Sequence, residues 1–209
     1  MAHVFDRYYK KYDAWYDTHV CAFLSELEAV KKALPRQGKG LEIGCGTGRF
    51  AAALGIHTGI DPSGPMRKLA CARGVNAVAG RGENIPFPAG AFDYAAIIIT
   101  LCFVQDPVKV LAEANRILKK RGRIVIGIVD KNSFLGKSYK RKKSAFYKQA
   151  RFFSVREVTK LLTQCGFGSF SYYQTLSALP DAMVSVEHAA KGFGKGGFVV
   201  ISALKQKEL

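Results

Sequence analysis

The sequence predicts an α/β domain built on a mostly parallel sheet. Three observations carry that expectation: β-rich apolar runs alternate with helical stretches from Gly40 to Asp130, two of those runs are apolar on both faces, and another opens into alternating glycines. βαβ units leave such a rhythm because each parallel strand needs a crossover, usually helical, to bring the chain back to the same end of the sheet. With 209 residues, 48% of them hydrophobic, the chain is long enough to bury one sizeable core.

The first 35 residues read as one or two helices, with Tyr8, Tyr12, Trp15 and Tyr16 recurring at spacings of three and four on one face. They form a cap over the sheet edge. The strand candidates are GLEIG, GIHTGI, GVNAVA, DYAAIIIT and RIVIGIV. Between the last two, Asp106 and Pro107 supply the N-cap and first-turn proline of a helix through VKVLAEANRILKK, which Gly122 is placed to end. SVRE at 154–157 is a capping box, Ser154 with Glu157, opening a helix that runs to Gly166. Two further strands lie near SFSYYQTL and GFVVISAL. With no internal repeat and no low-complexity linker, the chain reads as one domain: a cap at 1–38, a core at 39–130, and a basic segment with the C-terminal strands at 131–209.

The start, MAHVFDRYYKKYDAWYD, has no apolar h-region, and no apolar run approaches the roughly 18 residues of a membrane span. A soluble, cytoplasmic protein without membrane association is expected. The five cysteines, Cys21, Cys45, Cys71, Cys102 and Cys165, form no CxxC pair, so neither a disulfide framework nor a metal site is indicated. A net charge of +16, from 32 Lys and Arg against 16 Asp and Glu, favours RNA, DNA, acidic lipid or an anionic metabolite as partner, or else a well-solvated basic surface.

In LEIGCGTGRF a strand runs into Gly44, Gly46 and Gly48 and then into a helix, which brings a ligand against bare backbone and a helix N-terminus. Gly46 to Ala51 satisfies the dinucleotide pattern G-x-G-x-x-A, so a nicotinamide or flavin site is one reading. Glu42 argues against it, because a pyrophosphate there would meet a carboxylate, whereas a cationic ligand would be stabilised. The glycines also start at Gly44, two residues before the dinucleotide register. S-adenosylmethionine carries a sulfonium and an ammonium and no phosphate, so it matches an acidic strand end. Seventeen residues past Gly44, Asp61 ends the second strand candidate, where a carboxylate accepts hydrogen bonds from the two ribose hydroxyls of either cofactor, or else caps the turn before Pro62.

LEIGCGTGRF, GIDPSGPM, GRGENIPFPAGAFDYA and LCFVQDPVKVLAEANRILKKRGRIVIG, in this order and spacing, resemble the class I S-adenosylmethionine-dependent methyltransferases, in the branch of small-molecule and ubiquinone-type enzymes. The resemblance is strong over 39–130 and looser to 204. It implies a Rossmann-like fold: a seven-stranded sheet of order 3-2-1-4-5-7-6 with its last strand antiparallel, helices on both faces, and the cofactor across the carboxyl ends of the first strands. By the same resemblance Gly44, Cys45, Gly46 and Gly48 surround the methionine portion, and Glu42 orients that loop or reaches the amino group through water. Asp61 takes the ribose, Met66 packs on adenine, and Gly82 and Glu83 meet the adenine edge. Thr100 and Leu101 lie near the reactive sulfur, and Tyr12 resembles an N-terminal tyrosine that contacts the cofactor in related enzymes. Arg81 departs from the family, which often has an acidic residue there to receive the adenine amino group; an arginine has no acceptor to offer.

Methyl transfer from a sulfonium is a direct displacement, so no catalytic side chain need show in the sequence, and none is singled out. TLCFVQDP stands where base-methylating enzymes carry an NPPY-type segment, and there is no Pro-Cys pair for pyrimidine C5 chemistry. Cys102 reads as structural rather than nucleophilic, and His19, His57 and His188 are isolated. Segment 131–151 holds Lys131, Lys137, Lys140, Arg141, Lys142, Lys143, Lys148 and Arg151 among Phe134, Tyr139, Phe146 and Tyr147, where this fold commonly carries a substrate lid. Such a segment grips a nucleic acid, draws in an anionic metabolite, or lies solvated. The first expectation is methyl transfer to a small-molecule acceptor. The alternatives are a tRNA or rRNA methyltransferase, and an NAD-dependent oxidoreductase or adenosine-ligand binding module.

Overall fold

The computed structural model describes residues 2–142 and 144–206. Lys143 of the basic segment therefore lies outside the described residues. Two helices, α1 (Ala2–Thr18) and α2 (Val20–Ala33), precede the alternating core of β1 (Gly40–Ile43), α3 (Arg49–Leu54), β2 (Thr58–Asp61), α4 (Gly64–Ala72), β3 (Asn76–Ala79), β4 (Phe92–Ile98), α5 (Pro107–Ile117) and β5 (Leu118–Val129). After it come α6 (Phe134–Arg141), α7 (Val155–Gln164), β6 (Phe167–Thr175), the two-residue β7 (Ala190–Lys191) and β8 (Phe198–Lys205). The sheet order is β3-β2-β1-β4-β5-β8-β6-β7. Without the short edge strand β7, this is the expected 3-2-1-4-5-7-6, with β8 wedged antiparallel between β5 and β6. The eighth strand adds two residue pairs to the outer edge, Tyr173 with Lys191 and Gln174 with Ala190.

The central strands are apolar on both faces because both are covered. Ala95 and Ile97 of β4, with Ile124 and Ile126 of β5, pack on the face that holds Val110, Leu111 and Ile117 of α5 and Val158 and Leu162 of α7. Their neighbours Ala96, Ile98 and Val125 point the other way, toward Ala29, Val30 and Ala33 of α2, Phe50 of α3 and Leu135 of α6. Each fully buried Val, Leu or Ile among them contributes about 1.5–3 kcal/mol through burial.

Two expectations are corrected. The helix opened by Asp106 stops at Ile117, not at Gly122: Leu118 is already extended (φ −80°, ψ 139°), fully buried, and paired with Phe92. Sheet pairing here overrides the helical preference of Lys119 and Lys120. Gly122 instead answers a close approach, since a Cβ there would lie 2.9 Å from the Lys119 carbonyl oxygen and 3.1 Å from that of Asp93. The N-terminal pair of helices is also not one cap over the sheet edge. α2 lies on the sheet face, against β5, β6 and β8, and α1 alone packs against α4 and over the glycine loop.

α1 bends at Tyr8 (φ −115°, ψ 19°). Beyond the bend it is clasped to the core. Arg49 of α3 donates to both oxygens of Asp13 at 3.0 Å and to both of Asp17 at 2.6 and 2.7 Å, while Arg73 reaches Asp13 and the Thr47 carbonyl at 2.8 Å each. Partial burial would raise the Asp13 carboxyl, but hydrogen bonds from Arg49 and Arg73 outweigh it and hold that carboxyl well below the usual range. The capping box of α7 forms as expected, with Glu157 accepting from the Ser154 N–H at 2.7 Å. No helix among the described residues is long and apolar enough to cross a membrane.

Candidate active site

The carboxyl ends of β1, β2 and β4 open into a crevice of about 100 Å³. At its base the chain turns sharply out of β1 at Gly44 (φ +72°), where a Cβ would lie 2.2 Å from Thr100 Cγ2; the Thr100 hydroxyl donates to the Gly44 carbonyl at 3.0 Å. Only a glycine fits that approach. Asp61, at the end of β2, accepts from the Gly46 N–H at 3.0 Å and from the Ser63 N–H at 2.8 Å. It therefore makes the turn contact expected before Pro62 and also ties the glycine loop to β2. Burial raises its pKa, partly offset by those two amides and by Arg67.

Of the residues expected here, Tyr12, Gly44, Gly46, Asp61, Met66, Gly82, Glu83 and Thr100 line the crevice. Four do not. Glu42 and Cys45 are buried behind the loop, and Cys45 fills the space beside Gly59, where a Cβ would come within 2.6 Å of its sulfur. Gly48 caps α3 and lets it approach Ala70 of α4, and Leu101 faces the neighbouring cavity. Glu42 is 2% exposed, and its Oε2 has no hydrogen-bond partner among the described residues. Burial pushes its pKa up to about 8. The buried ionisable groups at and behind this crevice, Asp61 and Glu42, are thus carboxyls, which offer a phosphate no counter-charge and are ionised most readily beside a cation. Arg81 is exposed beside Glu83 at 3.7 Å, and Glu83 accepts from the Gln105 N–H at 2.9 Å, fastening this turn to the segment before α5.

A second cavity of about 630 Å³ adjoins the crevice, and Tyr12, Ile99 and Phe103 line both. Ile99 holds φ +53°, a strained conformation for a β-branched residue, at the junction of the two spaces. The aromatic face expected of α1 supplies one wall with Tyr8, Tyr12, Trp15 and Tyr16, and the Tyr12 and Tyr16 hydroxyls bond at 2.9 Å. The opposite wall is the segment after β5. Its Tyr139, Phe146, Tyr147 and Phe152 turn inward, while Lys137, Lys140, Arg141 and Lys148 are exposed outside. Lys142 of the same segment lines the cavity beside these rings, and Phe134 is 38% exposed.

Sequence reasoning missed Glu26. It lines the large cavity, 2% exposed, and burial pushes its pKa up to about 8. The available signal was a carboxylate in the apolar stripe Ala22, Ala29, Val30 and Ala33 at helical spacing. Cys102 also lines this cavity, but burial pushes its thiol up to about 12, which keeps it protonated and non-nucleophilic. His19, between α1 and α2, stacks on Trp15 and bonds to Asp181 at 2.7 Å, fastening that junction to the 180–182 turn. Among the described residues no group of three His, Cys, Asp or Glu is arranged to hold a metal.

Comparison with known proteins agrees with this geometry. Residues 41–126 match a methyltransferase domain family. An uncharacterised protein of Methanocaldococcus jannaschii is 45% identical over 97% of this chain and 98% of its own length. The demethylmenaquinone methyltransferase of a Geobacillus strain is 27% identical over 95% of this chain and 88% of its own. The crystal structure of a SAM-dependent methyltransferase, possible histamine N-methyltransferase, from Thermotoga maritima superposes with a TM-score of 0.96, covering 99% of this chain and 100% of that one. At 47% identity that likeness is one of sequence as well as fold, and the chain belongs to the class I S-adenosylmethionine-dependent methyltransferases, enzymes whose cofactor is S-adenosylmethionine.

Proposed function

We propose that the acceptor of this methyltransferase is a small molecule held in the 630 Å³ cavity, with the cofactor in the adjoining crevice. The observation that carries this reading is the shared wall of Tyr12, Ile99 and Phe103, which puts an aromatic-lined space of ordinary ligand size beside the cofactor crevice. The relatives named above support it, since demethylmenaquinone and histamine are both small molecules.

The cofactor supplies a methyl group on a positively charged sulfur, already activated for transfer. What remains to the protein is holding, alignment and exclusion of water. In this reading Asp61 receives the ribose hydroxyls on the lone pairs its two amides leave free, and Met66, Gly82 and Glu83 enclose the adenine. Gly44, Gly46 and Thr100 bound the methionine portion. Glu42, with its unpartnered Oε2 behind the loop, ionises when the positive charge of the cofactor lowers its raised pKa, and so favours sulfonium and ammonium. Cys45 and Gly48 shape the loop from behind, and Leu101 faces the acceptor. Tyr12 closes over both ligands.

Radiolabelled S-adenosylmethionine incubated with the protein and a cell-extract metabolite pool, and in parallel with bulk tRNA and rRNA, tests this. Label in the low-mass fraction alone is expected. Label confined to RNA would overturn the small-molecule reading and leave the methyltransferase activity standing.

A further inference from the structure

Glu26 occupies the cavity-facing side of α2, where every other cavity or core position on the same stripe is apolar or serine. A carboxyl buried without a partner costs several kcal/mol, and an alanine or leucine there would continue the stripe at no such cost. Among the described residues its Oε2 has no hydrogen-bond partner, and burial alone accounts for its raised pKa. The packing of α2 therefore gives the carboxyl no structural task, and it borders a space of about 630 Å³.

The groups around it leave that task open. The hydroxyls of Tyr12 and Tyr16, which face it from α1, are engaged with each other at 2.9 Å. Tyr139 of α6 and Tyr147 stack on one another, with ring centroids 4.5 Å apart. Burial raises all four phenols, so none contributes charge at neutral pH. Cys102 is likewise protonated. The cations that reach this cavity, Lys11 and Lys142, have exposed side chains, and Lys142 also lies 3.6 Å from Asp181. Deep in the cavity, then, the ionisable group near its working range is Glu26.

We propose that Glu26 receives an amine acceptor, holding its ammonium in the aromatic-walled cavity and taking the proton that the nitrogen must lose before it can be methylated. This rests on the small-molecule reading above and names the acceptor class. An anionic acceptor would hold Glu26 in its neutral form, and a neutral apolar one would leave it unpaired. An ammonium makes a charge-assisted hydrogen bond with the carboxylate and is attracted by the surrounding rings. In the transfer one proton passes from nitrogen to a Glu26 oxygen: the N–H bond breaks, its electron pair stays on nitrogen, and the carboxylate becomes the neutral acid. Burial, which raises this carboxyl in the empty cavity, makes it a stronger base than an exposed glutamate, so the transfer is less uphill.

The test is calorimetry on the protein saturated with S-adenosylhomocysteine, using phenethylamine, tryptamine and hexylamine, each beside the alcohol and the carboxylate of the same skeleton. Titrations at pH 7 in two buffers of different ionisation enthalpy count protons. At least one amine is expected to bind tenfold or more tighter than its alcohol and carboxylate, with release of about one proton, because Glu26 is mostly protonated until the ammonium arrives. Glu26→Gln should lose the amine preference and the proton release while keeping its affinity for S-adenosylhomocysteine; Glu26→Leu, which continues the apolar stripe, checks that result in a second folded background. The proposal is overturned if no amine outbinds its alcohol, or if Glu26→Gln keeps the preference. Failure of the wild type to bind S-adenosylhomocysteine would count instead against the placement of the cofactor, and the amine titrations on the free protein would still decide the role of Glu26.

Discussion

The backbone N–H of Gly46 donates to Asp61 Oδ2 at 3.0 Å across fifteen residues of sequence, so the glycine loop after β1 and the end of β2 are one construction. Asp61→Ala removes that tie together with a charged acceptor at the crevice wall. It should weaken S-adenosylhomocysteine binding by at least about 1.5 kcal/mol in calorimetry. Asp61→Asn, which keeps one acceptor oxygen, should lose less. An alanine variant with wild-type affinity would reduce Asp61 to a turn residue.

Gly44→Ala would push a Cβ to 2.2 Å from Thr100 Cγ2 at a φ of +72°. Overpacking costs about 1–3 kcal/mol and the left-handed backbone about 1–2 kcal/mol, so urea denaturation should show a loss of about 2–5 kcal/mol. Pairing it with Thr100→Ser, which deletes the clashing methyl, should recover part of that loss; no recovery would mean that the backbone conformation dominates.

Glu26 and Glu42 are raised from 4.5 to about 8 in the folded protein, so both bind a proton more tightly folded than unfolded. The stability this contributes is complete below about pH 4.5 and is lost as pH rises through about 8, at up to about 1.4 kcal/mol per group and pH unit. The free protein should therefore be measurably less stable at pH 8 than at pH 5.5. The Glu26→Gln/Glu42→Gln double variant should flatten this slope in urea titrations, and an equally steep double variant would place the titrating groups elsewhere.

Arg49→Ala breaks the contacts to Asp13 and Asp17 and leaves Arg73 alone on Asp13. Because α1 forms a wall of both spaces, KM for cofactor and for acceptor should rise together, several-fold, and limited proteolysis should cut α1 earlier. A rise in only one KM would show that the helix serves one ligand.

The core fold was legible because β4 and β5 are apolar on both faces and because Asp106, Pro107, Ser154 and Glu157 are local signals that the structure uses locally. The end of α5 was not, because pairing of Leu118 with Phe92 is a contact between distant residues that overrides local preference. Eight of the twelve residues expected around the cofactor line one crevice, since motif spacing fixes the loop that carries them. Glu26 escaped notice for the opposite reason: a lone glutamate in a helix reads as a solvated residue until the sheet face beneath it is known. Composition likewise cannot reveal that Tyr139, Phe146 and Tyr147 of the basic segment line the cavity while Lys137, Lys140, Arg141 and Lys148 are exposed.

The bend at Tyr8 divides α1 between two kinds of attachment. Residues beyond it are held by the guanidinium groups of Arg49 and Arg73, whereas Phe5, before it, covers the crevice through edge contacts with Tyr12 and Phe103 and a tilted one with Phe146, at centroid distances of 5.0 to 5.8 Å. Such ring pairs are worth about 0.5–1.5 kcal/mol each beyond their burial, and salt leaves them untouched. The two ends of α1 thus answer to different conditions, since ionic strength acts on the Arg49 and Arg73 contacts and leaves the ring contacts of Phe5 in place.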